Sequence, residues 1–280
     1  MPPMTSNYSK VAILLVEPEN PDNIGAVVRA MKNMGLRDLR LVGPPPGWRE
    51  KGKKMAMSAA DLLETAGVYE SVRDAIGDRN LVIGTTRRGG PKRGFFTPFQ
   101  KAVDTILERS QNGEKIAIMF GKESKGLDND SLDLCNWVTT IPAHSDFASI
   151  NLAQAVMIIA FKLFERTAAG ADLEQFRATA SIPKRGRVRA AAKKEKAHQI
   201  GEYRFLTQDA VDEVLETFKK VLLALEYDKK GNDVFGRIRA TLKGMIKRSG
   251  LLESEAQMIR GLSRRICEKA KKQQIQDPRC

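Results

Sequence analysis

The chain has 280 residues, 42% of them apolar and 29% charged, with a formal net charge of +13. That length admits one large or two modest domains, and the apolar fraction supports a real core. The charge excess points to a polyanionic partner, nucleic acid before an anionic membrane surface, and no window approaches the apolar length of a membrane span. Residues 1–170 carry 22 basic and 19 acidic side chains and residues 171–280 carry 25 and 15, so the C-terminal part should lead that contact. Cys135, Cys267 and Cys280 are too scattered to draw a disulfide frame or a metal-ligand spacing, which fits a reducing cytoplasm. The N-terminus has no apolar run behind a basic start, so no secretory signal is expected.

Residues 1–9 are a polar tail. Val11 to Val16 is a continuous apolar run, the pattern of a strand buried on both faces. Breakers follow, and then a helix from Ile24 to Met34, capped by Asn23 if that residue has no other role and ended by Gly35. Leu39 to Val42 is the next strand, and Ser58 opens a short helix through Glu64. Leu81 to Gly84 is a buried strand before the basic, Gly-rich loop T-T-R-R-G-G-P-K-R-G. Thr97-Pro98 reads as a cap followed by proline at the first helical position, opening a helix to about Arg109. Ile116 to Phe120 and Trp137 to Ile141 are strands, and Ala148 to Arg166 is a helix apolar on most of its circumference.

Strands alternating with helices predict an α/β domain with a parallel sheet over residues 1–167. Residues 168–201 lose the pattern. They read as a basic linker, solvated only or also touching nucleic acid, with seven basic residues and one acidic residue between Lys184 and Lys196. Residues 202–280 hold three amphipathic segments, Thr207–Leu225, Asp233–Lys247 and Glu253–Lys271. Their predicted stripes are Val211, Val214, Leu215, Phe218, Leu222 and Leu225, then Ile238, Leu242, Met245 and Ile246, then Met258, Leu262 and Ile266. Together they make a small all-α bundle.

No dinucleotide fingerprint and no phosphate loop of the G-x-x-x-x-G-K-[ST] type follows a strand. Two histidines far apart make a His-based metal site improbable, and Asp128-Asn129-Asp130 lacks the glycine and terminal glutamate of a calcium loop. What remains is a set of loops that each follow a strand and should gather at the carboxyl edge of the sheet, where open parallel sheets bind ligands. Taken singly, Asn23, Ser149 and Asn151 read equally as caps, Arg29 as a surface charge, and Glu123 as the partner of Lys122 or Lys125.

Taken together, N-I-G-A-V-V-R-A (Asn23 to Ala30), F-G-K-E-S-K-G-L (Phe120 to Leu127) and I-P-A-H-S-D-F-A-S-I-N-L-A-Q-A (Ile141 to Ala155) resemble the three motifs of the SPOUT class of RNA 2′-O-ribose methyltransferases, the SpoU/TrmH-like family. The resemblance covers residues 10–166. The C-terminal stretches V-F-G-R-I-R-A-T-L-K-G-M-I-K-R-S-G-L and E-A-Q-M-I-R-G-L are similar to the helical extension of the TrmJ branch, which methylates nucleotide 32 of the tRNA anticodon loop.

The resemblance implies a SPOUT domain closed by a C-terminal trefoil knot, acting as a homodimer in the cytoplasm on tRNA, with no DNA or membrane partner. It implies S-adenosylmethionine as methyl donor and no metal. Cofactor contacts carry over to Thr85, Thr86, Arg87, Gly121, Ile141, Ser149, Ile150 and Leu152. Catalytic roles carry over to Arg29, Asn23, Glu123, Ser149 and Asn151, with the first motif supplied by the partner subunit. Arginine titrates above ~12, so a neutral guanidinium near pH 7 costs roughly 7 kcal/mol. Arg29 is therefore expected to stabilise a developing alkoxide and to position the substrate, with the others orienting it. Lys184, Arg185, Arg187 and Arg189 of the linker, with Arg237, Arg239, Lys243, Lys247 and Arg248 of the bundle, are expected to hold the tRNA body. The branch often carries Tyr-Ser-Ser where this chain has Phe147-Ala148-Ser149, which leaves the cytidine-versus-uridine preference open. The alternatives are a ribosomal RNA methyltransferase of the same class and a non-catalytic RNA-binding protein that kept the fold.

Overall fold

The computed structural model describes residues 10–87, 95–168, 205–225 and 234–276. The linker quartet Lys184, Arg185, Arg187 and Arg189 lies outside them.

Six strands form one sheet in the order β3-β2-β1-β5-β4-β6, and every pairing is parallel. They are β1 Val11–Val16, β2 Asp38–Val42, β3 Gly67–Tyr69, β4 Leu81–Thr85, β5 Ile116–Phe120 and β6 Trp137–Thr139. The continuous apolar run of β1 has the expected cause. Val11, Ile13 and Leu15 enter one core layer and Leu14 and Val16 the other. The first layer lies under α1 Pro21–Asn33, α2 Trp48–Ala56, α3 Ala60–Thr65, α5 Phe99–Gln111 and α7 Leu152–Ala168. The second lies against the short helices α4 Val72–Ile76 and α6 Asn129–Asp133.

Several boundaries differ from the sequence reading. Helix α1 starts at Pro21, capped by Asn20, whose side chain accepts from the Asp22 N–H at 2.9 Å. Proline at the first turn costs no hydrogen bond there, so the helix begins one turn earlier and Asn23 is not its cap. Ser58 and Thr97 cap nothing: Ser58 lies in a 3₁₀ turn, and Pro98 itself holds the cap position of α5 without a side-chain bond. The elements α2, β3 and α4 are additional. Gly25, read as a motif glycine, is a packing residue, because a Cβ there would stand 2.1 Å from the Gly52 carbonyl oxygen of α2.

Strand β6 is flanked on both sides. On one side it pairs with β4. On the other, Val138 donates to Phe95 O at 2.9 Å, and its own carbonyl accepts from the Thr97 N–H at 2.8 Å. The third motif then leaves β6 and returns as α7, which packs on α1.

The C-terminal helices are α8 Gln208–Ala224, α9 Val234–Ser249 and α10 Glu253–Gln276. The first half of α8 buries the expected face, with Val211, Val214 and Leu215 in a small core, but farther along Val221 is buried while the expected Leu225 is exposed, as is Met245 of α9. The buried face of α10 is not the expected one. Met258 and Leu262 are exposed, at 75% and 60%, while Ala256, Ser263 and Ala270 are buried. These small residues recur every seven positions, a seam that lets α10 lie close against α8; Ile259 packs beside it and Ile266 is half-buried, while Met258 and Leu262 fall outside.

The bundle docks at the amino edge of the sheet. Gln208 and Asp209 donate backbone N–H groups to Arg79 O and Gly77 O, at 2.9 and 3.1 Å. Asn80 Nδ2 donates to Phe205 O at 2.7 Å, and the Arg109 guanidinium stacks 4.4 Å from the Phe205 ring centroid. Asp212 of α8 draws Arg73 of the sheet domain and Arg239 and Lys243 of α9. Lys247 donates to the carbonyl oxygen of Asp133. Among the described residues no helix is long and apolar enough to cross a membrane.

Candidate active site

A cavity of about 230 Å³ opens at the carboxyl ends of β4, β5 and β6. All eight residues expected to hold a cofactor line it: Thr85, Thr86, Arg87, Gly121, Ile141, Ser149, Ile150 and Leu152. Phe120, Thr140 and Ala155 add wall that the motifs did not single out. Two hydroxyls fix the frame. Thr85 Oγ1 donates to Met119 O at 2.9 Å, tying β4 to β5, and Thr140 Oγ1 donates to Thr86 O at 2.7 Å, tying the loop after β6 to the loop after β4.

Gly121 and Gly126 make the tight turn after β5. A Cβ at Gly121 would lie 2.1 Å from the Gly126 carbonyl carbon, so only glycine lets the two ends of the loop touch. Gly126 has φ +73°, the left-handed region that favours glycine.

Asn23, Glu123 and Asn151 meet in one chain of hydrogen bonds across three loops. Asn23 Nδ2 donates to Glu123 Oε1 at 2.8 Å, and Asn151 Nδ2 donates to Asn23 Oδ1 at 3.0 Å. The Oδ1 of Asn151 caps α7, accepting from Ala153 N at 2.9 Å and Gln154 N at 3.4 Å. Glu123 also accepts the backbone N–H groups of Glu19 and Asn20, at 2.8 and 3.3 Å. Its partner is thus Asn23 and the backbone of the first loop, not Lys122 or Lys125. Asn151 is a cap and a bridge at once.

A second set of contacts, unforeseen from the sequence, runs beside it. Lys122 pairs with Glu17, and Ser124 donates its N–H and its hydroxyl to the two oxygens of Glu19, at 3.0 and 2.7 Å. The Ser124 hydrogen bonds hold the Glu19 carboxyl below the usual carboxylate range, with Lys122 and Lys125 adding to the effect. The available signal was the spacing of acids after β1 and of Lys and Ser after β5, which becomes meaningful once β1 and β5 are known to be neighbours.

Arg29 is exposed on α1 and does not line the cavity of its own chain. It stands six residues beyond Asn23, about 9 Å along a helix. Of the bundle cations, Arg237 is exposed, but Arg239 and Lys243 of α9 face Asp212 of α8 within the bundle, and Lys247 faces Asp133 across the seam to the sheet domain. Among the described residues no cluster of His, Cys, Asp or Glu is placed to hold a metal.

The SpoU rRNA Methylase family model matches residues 10–161, the span that carries β1 through α7. The chain belongs to that family. It is an RNA methyltransferase of the α/β, parallel-sheet type. Over 160 residues it is 35% identical to the tRNA (cytidine-2′-O-)-methyltransferase TrmJ of Methanocaldococcus jannaschii, covering 56% of this chain and 68% of that protein. Over 155 residues it is 36% identical to the tRNA (cytidine/uridine-2′-O-)-methyltransferase TrmJ of Pectobacterium atrosepticum, covering 55% and 63%. The crystal structure of TrmJ from Z. mobilis superposes with a TM-score of 0.66 at 26% identity, over 91% of this chain and 98% of that one. The likeness to the last structure therefore extends past the sheet domain into the C-terminal helices.

Proposed function

We propose that this SpoU-family enzyme transfers a methyl group from S-adenosylmethionine to a ribose 2′-hydroxyl of tRNA, at nucleotide 32 of the anticodon loop. The observation that carries the reading is the convergence of all eight expected cofactor residues, drawn from three separate loops, on one cavity. The tRNA relatives and the likeness over the helical extension favour tRNA over ribosomal RNA.

The lining fits the cofactor. Phe120, Ile141, Ile150 and Leu152 offer an apolar surface for an aromatic base, and Thr86 and Ser149 bring hydroxyls beside it. When bound, S-adenosylmethionine supplies an electrophilic methyl on a sulfonium. The chain's own residues do the rest by positioning, which is where most of the rate of an in-line transfer arises. Glu123, Asn23 and Asn151 have their polar atoms engaged with one another and with backbone, so their role is to hold the first, second and third motif loops in register. Arg29 of a second copy then faces the sugar hydroxyl, lowering the cost of its developing negative charge. The half-exposed apolar side chains of α7, Met157, Ile158 and Phe164, and the exposed Phe161, form with Ala26 of α1 the surface on which that copy would pack. A threaded chain end is part of the same proposal, and the flanking of β6 by both β4 and Phe95–Thr97 supports it.

The bundle sits a strand's length from the cavity, about 17 Å for five residues. It would therefore grip tRNA away from the target ribose, through Arg237 and the linker quartet. The test is incubation with labelled S-adenosylmethionine and separate pools of total tRNA and ribosomal RNA, followed by nuclease mapping. Label confined to the ribose of nucleotide 32, and lost in Arg29→Ala, supports the reading. Label in ribosomal RNA alone, or on a base, refutes it.

A further inference from the structure

The run Lys122-Glu123-Ser124-Lys125 forms one wall of the cavity, and its first three side chains are spent on the loop after β1. Lys125 is not. It lines the cavity, is exposed, and among the described residues makes no hydrogen bond or ion pair, its charge reaching Glu19 only at longer range. Arg87, two residues beyond the neighbouring strand β4, is in the same position: lining, exposed and unpaired among the described residues. Adjacent strands stand about 4.8 Å apart, so their following loops bring the two cations to the same mouth.

The carboxylates around them are already answered. Glu17 is paired with Lys122, Glu19 with the two donors of Ser124, and Glu123 with Asn23 and two backbone N–H groups. Two positive charges are thus left over at the entrance of a cavity whose floor is apolar. A cation kept unpaired at a ligand-lined edge, beside acids that are all satisfied, has its charge available for an incoming anion.

We propose that Lys125 and Arg87 form a phosphate subsite that grips the RNA backbone next to the target ribose. The proposal rests on the RNA methylation reading and adds the residues that seat the substrate strand. An RNA phosphodiester is favoured over the cofactor's carboxylate because both side chains lie at the exposed rim, where a substrate arrives, rather than on the enclosed wall. The two contribute differently. Arg87 presents a planar fork suited to two phosphate oxygens, and Lys125 a point charge. Lys125 is the cleaner probe, since Arg87 is also expected to touch the cofactor.

The experiment compares the wild-type full chain with Lys125→Ala and Lys125→Arg. Binding of an unmodified tRNA transcript is measured over a potassium chloride series, S-adenosylmethionine affinity by calorimetry, and turnover separately. One lost phosphate contact should lower the slope of log affinity against log salt by about 0.7–0.9. Lys125→Ala should show that loss, with a KM for tRNA raised about five- to tenfold, kcat within twofold of wild type and unchanged cofactor affinity. Lys125→Arg should restore the slope. A weakened cofactor affinity with an unchanged slope would assign the charge to the cofactor's carboxylate and overturn the proposal, as would an unaltered slope alone. Because the slope is read from binding, a wild type that binds tRNA without methylating it would sink the transferase reading and still leave the subsite decided by the same data.

Discussion

Replacing Gly121 with alanine isolates the geometry on which the cavity depends. The added Cβ would lie 2.1 Å from Gly126 C, 2.2 Å from Leu127 N and 2.4 Å from Gly126 O. All three are backbone atoms, so no side-chain rotation relieves the contact. Ordinary van der Waals separation requires a displacement of more than about 1 Å, and overpacking of this kind costs about 1–3 kcal/mol. Residues 121–126 are wall, so the displacement changes the cavity itself. If half of that cost falls on the bound state, S-adenosylmethionine affinity drops about two- to tenfold, at 1.4 kcal/mol per decade. Gly126→Ala is the matched control. It meets nothing within 4 Å, and its penalty is the left-handed φ of +73° alone, about 1 kcal/mol or somewhat more. Calorimetric titration of the cofactor, with thermal unfolding alongside, separates the two. Gly121→Ala should weaken cofactor binding about two- to tenfold, and Gly126→Ala should mainly lose stability. Wild-type cofactor affinity in a folded Gly121→Ala enzyme would refute the idea that this close approach shapes the site.

Asp212→Ala leaves Arg73, Arg239 and Lys243 without their shared carboxylate; limited proteolysis should then cleave around the bundle faster than in wild type, with cofactor affinity unchanged. Cys135 is buried and its thiol is pushed up to about 12 by that burial. Thiol reagents should therefore leave it unmodified in the native enzyme at pH 8 and label it on unfolding, as read by mass spectrometry. Asp128 caps α6, and its bonds to Ser131 hold its carboxyl below the ordinary value. A depressed folded-state value gives stability that is present at neutral pH and lost as pH falls through the carboxylate range. Asp128→Asn keeps a capping oxygen without the titration, so the acid limb of the melting-temperature profile should flatten while the neutral value changes little.

Much of the sheet was legible because burial on both faces writes itself locally as an unbroken apolar run, and β1, β4 and β5 carry such runs. The short elements β3 and α4 were not legible, since three to five residues offer too little periodicity to separate from loop, and the nine residues of α2 are mostly charged or glycine and carry no apolar stripe. The face of α10 was misread because the apolar stripe was judged by bulk. Its true seam is Ala256, Ser263 and Ala270, and small residues become a contact only when another helix is close enough to need them.

The sequence by itself marked the family, through three motifs whose order and residue types resemble it and whose span the family model matches. It also determined that each motif follows a strand, because an apolar run ended by glycine, proline or asparagine leaves the chain no other local choice. Only the tertiary structure decided how the motifs are held. Asn23 and Glu123 are a hundred positions apart in the chain, and Glu19 and Ser124 one hundred and five, yet both pairs are within hydrogen-bond distance. What joins them is the adjacency of β1 and β5 in the sheet, and strand order is set by how all six strands and their helices share two cores, which no stretch of neighbouring residues encodes.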